Sequence, residues 1–177
     1  MEVVQETAVQ FVIRYRFNNR SDRNSYVFNR LYSGIDEKGV FQVDPNRIYV
    51  QLERGAAILC KQIIPVPDEV DVECPVVPCA TLVRPREVTE EVISVGLPVF
   101  LQTPYTGFRV SALRDTQEGF PVNFQLGFFL VQPEQDALAI PVETSTGRAF
   151  RFRAAPPARQ TILSAGPLGI IPVWVPK

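Results

Sequence analysis

Histidine is absent from all 177 residues, and that absence removes more chemistry than any residue present supplies. Imidazole is the side chain that changes charge between about pH 5 and 8. Without it no Ser-His or Cys-His nucleophile can be assembled within the chain, and the commonest nitrogen ligand for zinc, copper and non-haem iron is missing. Paired carboxylates or a desolvated lysine remain open routes to catalysis. Lysine is scarce too: Lys38, Lys61 and Lys177 stand against fifteen arginines. Arginine makes planar bidentate contacts and tolerates partial burial better than lysine, although a codon bias gives the same ratio.

Charge of one sign is lacking as well. The net charge is −1 with both signs interspersed, so the basic excess that neutralises nucleic-acid phosphates is not there. No run approaches the ~18 apolar residues of a membrane span. Met1 to Gln10 has neither the basic start nor the apolar core of a secretory signal. The expected protein is cytoplasmic, with no nucleic-acid partner and no membrane span. On that footing the Asn19-Arg20-Ser21 sequon is a chance match.

The ten glycines are scattered and form no G-x-G-x-x-G, no Walker sequence and no G-x-S-x-G elbow. No EF-hand loop is present either. Neighbouring acids such as Asp36-Glu37, Asp68-Glu69 and Glu90-Glu91 are the only material for a carboxylate-based hydrolase, and such pairs are commonly solvated turn residues. Cysteine is limited to Cys60, Cys74 and Cys79, an odd count that fits reduced thiols. Cys74-Pro-Val-Val-Pro-Cys79 could close a disulfide or hold half a zinc site, but a structural site needs four ligands. Neither a metal nor a cofactor is expected, nor any catalytic residue.

What is present is period-2 alternation, from end to end. Val9, Phe11, Ile13, Tyr15 and Phe17 oppose Gln10, Arg14, Arg16 and Asn18. Tyr26 to Tyr32 predicts a second strand closed by a Ser33-Gly34 turn. Ile48, Val50 and Leu52 alternate with polar residues, Ala56 to Ile64 is a mostly apolar buried strand, and Val70, Val72 and Cys74 alternate with Glu69, Asp71 and Glu73. Phe120, Val122, Phe124, Leu126, Phe128 and Leu130 share the face expected at the centre of the core. The other face of that strand turns apolar at Phe129 and Val131. Ala137 to Val142 and Arg148 to Arg153 flank a Thr144 to Gly147 turn. The best helical candidate, Val88 to Ile93, is short and rich in β-branched residues. Sixteen prolines punctuate the gaps, at turns and edges where they are tolerated.

With hydrophobic residues at 46% and charged residues at 21%, the chain can bury a core. Regular short strands predict an all-β, immunoglobulin-like antiparallel β-sandwich of 7–9 strands, with a jelly roll as the alternative. The whole chain, 1–177, is expected to form a single domain. Residues 154–177 read as a Pro-rich apolar C-terminal extension packed on that sandwich or on a partner. Thr81-Leu82-Val83-Arg84-Pro85-Arg86-Glu87 resembles the strand–Pro–turn–strand element of small bacterial immunoglobulin-like domains. Arg86 stands where their usual wording has glycine. The resemblance implies a fold and no activity.

Two features point to an interaction surface. One is an arginine ladder, Arg14 and Arg16 on an early strand and Arg151 and Arg153 on a late one. The alternative is that these arginines face solvent or cross-strand acids such as Glu69, Asp71 and Glu73. The other is aromatic material in loops, namely Tyr105, Phe108, Phe100 and Trp174, residue types that anchor interfaces. The expected function is a non-catalytic protein-binding or adaptor module. The alternatives are a structural subunit of a homo-oligomeric or shell-like assembly and, behind both, a carboxylate-based hydrolase.

Overall fold

The computed structural model describes residues 2–106, 116–132, 138–153 and 155–175. They form fifteen strand segments and no α-helix. In order these are β1 (Glu2–Glu6), β2 (Gln10–Asn18), β3 (Asn24–Arg30), β4 (Tyr32–Ile35), β5 (Phe41–Val43), β6 (Tyr49–Glu53), β7 (Ala56–Lys61) and β8 (Cys79–Val83). Then follow β9 (Val88–Gly96), β10 (Val99–Phe100), β11 (Thr116–Val131), β12 (Ala139–Thr144), β13 (Gly147–Phe152), β14 (Thr161–Ala165) and β15 (Ile170–Val175). Among the described residues no helix is long and apolar enough to cross a membrane. Val88 to Ile93 is strand, as its β-branched composition favours.

Two layers face one another. The smaller is the antiparallel sheet β1-β2-β9. The larger curls around β11, a 16-residue strand with neighbours along both edges. On one edge β15 and then β14 run antiparallel to it. On the other, β7 pairs in parallel at Val122 to Leu126, and β3 in antiparallel at Phe128 to Val131. Beyond β3 the sheet continues through β8, β13, β12, β5 and β4. At the opposite end it closes on itself. β10 pairs with β15, and Gln102 exchanges both backbone hydrogen bonds with Val50 of β6, at 2.8 and 3.0 Å.

The alternating pattern of β2 explains the main core. Phe11, Ile13, Tyr15 and Phe17 point inward against Leu59, Val122, Phe124, Leu126 and Phe128. Tyr15 stacks on Phe124 at 5.3 Å and Phe17 meets Phe128 edge-on at 5.2 Å. At its far end β11 is covered on both faces, since Phe129 and Val131 join a second cluster with Tyr26, Phe28 and Phe152. Along the C-terminal path, Ile171 and Val173 are buried in the main core.

Three expectations need correction. Fifteen segments replace seven to nine strands because short segments such as β1, β5 and β10 add to the long alternating ones and because a bulge breaks the C-terminal path into β14 and β15. Between the Phe124–Ala165 and Pro121–Ile170 pairs, two residues oppose four. Gly166 sits in that bulge at φ 151°, where a Cβ would strike the Asn123 side chain. Ser33-Gly34 lies inside β4, at a register shift against β5. Val70, Val72 and Cys74 form no strand. Gln62 to Pro78 runs without ladder pairing, because Pro65, Pro67, Pro75 and Pro78 withhold the donors that a ladder needs.

The Thr81–Glu87 element forms its turn despite lacking glycine. Glu87 N donates to Arg84 O at 3.0 Å, and Arg86 takes φ 66°, the left-handed position that follows Pro in a type II turn. Asn19 is nearly fully buried, and its amide donates to the carbonyls of Arg23 and Val83 at 2.7 and 2.8 Å. The sequon asparagine is therefore a structural residue.

Candidate functional site

Alternation on β9 separates its tandem acids. Glu90 points out to Arg14, while Glu91 points inward beside Tyr15, its cross-strand partner. Lys61, at the end of β7, reaches across from the larger sheet with a fully buried side chain. Its Nζ lies 3.0 Å from Glu91 Oε2 and donates to Pro45 O at 2.7 Å. Tyr15 OH donates to the same Glu91 oxygen at 2.5 Å. Burial pulls the Lys61 ammonium below its ordinary pKa, against the opposing charge of Glu91. Burial, then Glu91, pushes the Tyr15 hydroxyl well above its own. With no surface on Lys61 for a ligand to touch, the triad is a polar tie between the layers. It also fixes the loop that carries Pro45.

That loop forms one wall of a cleft of about 650 Å³, within the usual size of ligand pockets. Asp44, Asn46 and Arg47 face Ser94 to Pro98 across it, over a floor that includes Ile48, Val50 and Val99. Asn46 Oδ1 accepts from Ser94 N at 2.9 Å, and Gln102 Nε2 donates to Ile48 O at 3.0 Å. At one end the β10–β15 register sets Phe100 directly opposite Trp174. The two rings stack at 6.2 Å and 16°, with Phe100 60% exposed. An exposed aromatic stacked on a second ring, in a cleft that an arginine also lines, has the composition of an interface anchor.

A second, smaller cleft of about 210 Å³ lies between β13, β4, β5 and the segment around Cys74. Arg151, Arg153, Tyr32, Phe41, Cys74 and Val76 line it. Tyr105 OH accepts from Val76 N at 3.0 Å and so holds one wall. Cys74 is an exposed free thiol, and Cys79 and Cys60 are free and buried.

No family model, no curated protein and no solved structure matches the chain.

The sequence-derived surface residues therefore separate into three places. Arg151 and Arg153 come together at the smaller cleft, Tyr105 reaches it only by holding Val76 from behind, and Trp174 backs Phe100 at the larger. Arg14 and Arg16 sit on the outer face of the three-stranded sheet. Arg14 there pairs with Glu2 and Glu90 at 3.2 and 3.7 Å, not with Glu69, Asp71 or Glu73. Phe108 lies outside the described residues. Sequence reasoning missed Lys61, Glu91, Tyr15 and Arg47. A signal for the first existed: Lys61 is the one charged residue in the apolar run Ala56 to Ile64.

Proposed function

We propose that this chain is a non-catalytic β-sandwich binding module that holds a segment of another protein in the cleft at Phe100, Trp174 and Arg47. The observation that carries the reading is the exposed Phe100 ring stacked on Trp174 over an apolar floor. The rim adds donors at Arg47 and Asn46 and acceptors at Asp44 and Gln102, the mixture that a peptide backbone pairs with. Glu90 and Glu91 point to opposite faces and do not converge as a hydrolase's acids must. Within the sandwich class we read the fold as immunoglobulin-like on the Thr81–Glu87 turn, and the setting as cytoplasmic on the three free thiols. Affinity purification with wild type and Phe100→Asp tests the binding role. A discrete partner held by wild type and lost by a variant of unchanged melting temperature supports it. Identical captures refute it.

A structural, self-assembling role is the second reading, favoured by β14. Among the described residues this strand pairs only with β11, and Ile162 and Leu163 are 44% and 49% exposed. An uncharged free edge of this kind is a template for a second copy. Light scattering tests it, and a monomer at micromolar concentration removes it.

A further inference from the structure

We propose that the smaller cleft binds an oxyanion, a carboxylate or phosphate borne on a compact apolar body, between Arg151 and Arg153. Among the described residues, the only charged side chains lining it are these two guanidiniums. Among the described residues neither has an acidic partner, whereas Arg14 has two and Arg84 one. Local charge of this sign in a chain of net charge −1 favours an anion over any other ligand.

The cations are also placed. Arg151 shares a face of β13 with buried Ala149, Arg153 directly follows the strand's last residue, and Arg148 lies on the other face, over Phe150 at 6.0 Å. The Arg151 guanidinium lies over the Phe41 ring at 5.8 Å, a contact that orients the fork without consuming its donors. Phe41 is in turn packed edge-on by Tyr32 at 4.9 Å and 83°. Burial raises the Tyr32 hydroxyl above its ordinary pKa, so it stays a donor at neutral pH. A planar fork, a second guanidinium and a phenol give several charge-assisted or neutral donors to one acceptor group. Val76, Val77 and Phe152 supply apolar walls for whatever carries it. A cleft of about 210 Å³ limits that body to about the size of a single ring, so the ligand is a small molecule or a terminal group. It shares no lining residue with the Phe100 cleft, so the two readings fail separately.

The experiment titrates full-length protein with orthophosphate, benzoate and benzylamine, followed by calorimetry and by arginine Nε–H NMR signals. Saturable binding of orthophosphate, benzoate or both is expected, with none by benzylamine, which presents the same ring with a cation. Which anion binds identifies the oxyanion. Arg151→Gln and Arg153→Gln should each weaken binding at least tenfold at unchanged melting temperature. Arg151→Lys, which keeps charge but loses the fork, should fall between. Failure of both anions to saturate, or wild-type affinity in Arg153→Gln, overturns the proposal.

Discussion

Replacing Lys61 by Met keeps most of the side-chain volume and deletes the ammonium, which makes it a direct test of the polar tie. In wild type that ammonium serves Glu91 Oε2 at 3.0 Å and Pro45 O at 2.7 Å. In Lys61→Met the Glu91 carboxylate retains, among the described residues, only the Tyr15 hydroxyl, and the Pro45 carbonyl loses the Lys61 donor. Removing one member of a buried pair costs about 3–5 kcal/mol, because the partner's charge is left uncompensated. The Glu91 side chain is 12% exposed, so water recovers part of this and the lower end, about 3 kcal/mol, is expected. For a chain of this size that is a fall of about 6–12 °C in melting temperature. The double variant Lys61→Met, Glu91→Leu removes both charges. It should recover most of the loss, with a coupling of about 1–3 kcal/mol in the cycle. Urea unfolding followed by near-UV circular dichroism measures each corner. A single variant within about 0.5 kcal/mol of wild type, or no coupling to Glu91, would refute the reasoning.

Phe124 is fully buried and stacked on Tyr15, so Phe124→Ala should cost about 3–5 kcal/mol; near-wild-type urea unfolding would put the core elsewhere. Arg86 is exposed at φ 66°. Arg86→Gly should remove a left-handed penalty of about 1–2 kcal/mol and pay about 0.5–1 in chain entropy, a net gain of about 0.5–1 kcal/mol. A loss on chemical denaturation would contradict the turn. Burial pushes the Cys60 thiol up from 9.0 to about 12. Its contribution is complete below pH 9, where both states are protonated. It is lost above that at about 1.4 kcal/mol per pH unit, as the unfolded thiol ionises first. Lys61, shifted down, acts in the opposite sense below its ordinary 10.5, so wild type is compared with Cys60→Ala, in which all other groups cancel. The variant should fall less steeply from pH 9 to 10.5 in urea unfolding; parallel slopes would count against a buried thiol.

The strands that cross the main core were legible because a half-buried strand writes its exposure into every second residue. β2 and β11 do so over their full inward faces. Gln62 to Pro78 misled because alternation at Val70, Val72 and Cys74 says nothing of whether a partner strand exists, and the four prolines there decide that it does not. The closure of the larger sheet escaped notice since it rests on a two-residue strand and one bridge, Val50 to Gln102. The sites were harder still. Glu91 can be seen to alternate with Glu90, but only the approach of the two layers brings it to Lys61. Arg14 and Arg151 look alike in sequence, and sheet assignment alone gives one its carboxylate partners and sets the other in a cleft lined by no acid among the described residues. Trp174 and Phe100 read as loop aromatics, yet both lie in strands, where Ile171 and Val173 take the core and the β10 register stacks Trp174 on Phe100.

The binding claim is tested most directly by a photo-crosslinking amino acid at position 100, with the same group at Leu138, an equally exposed apolar site, as control. Illumination in the native cell should give one discrete protein adduct from position 100, absent from position 138 and lost when Arg47→Glu is added. No adduct from position 100, or the same adducts from both positions, would contradict the account.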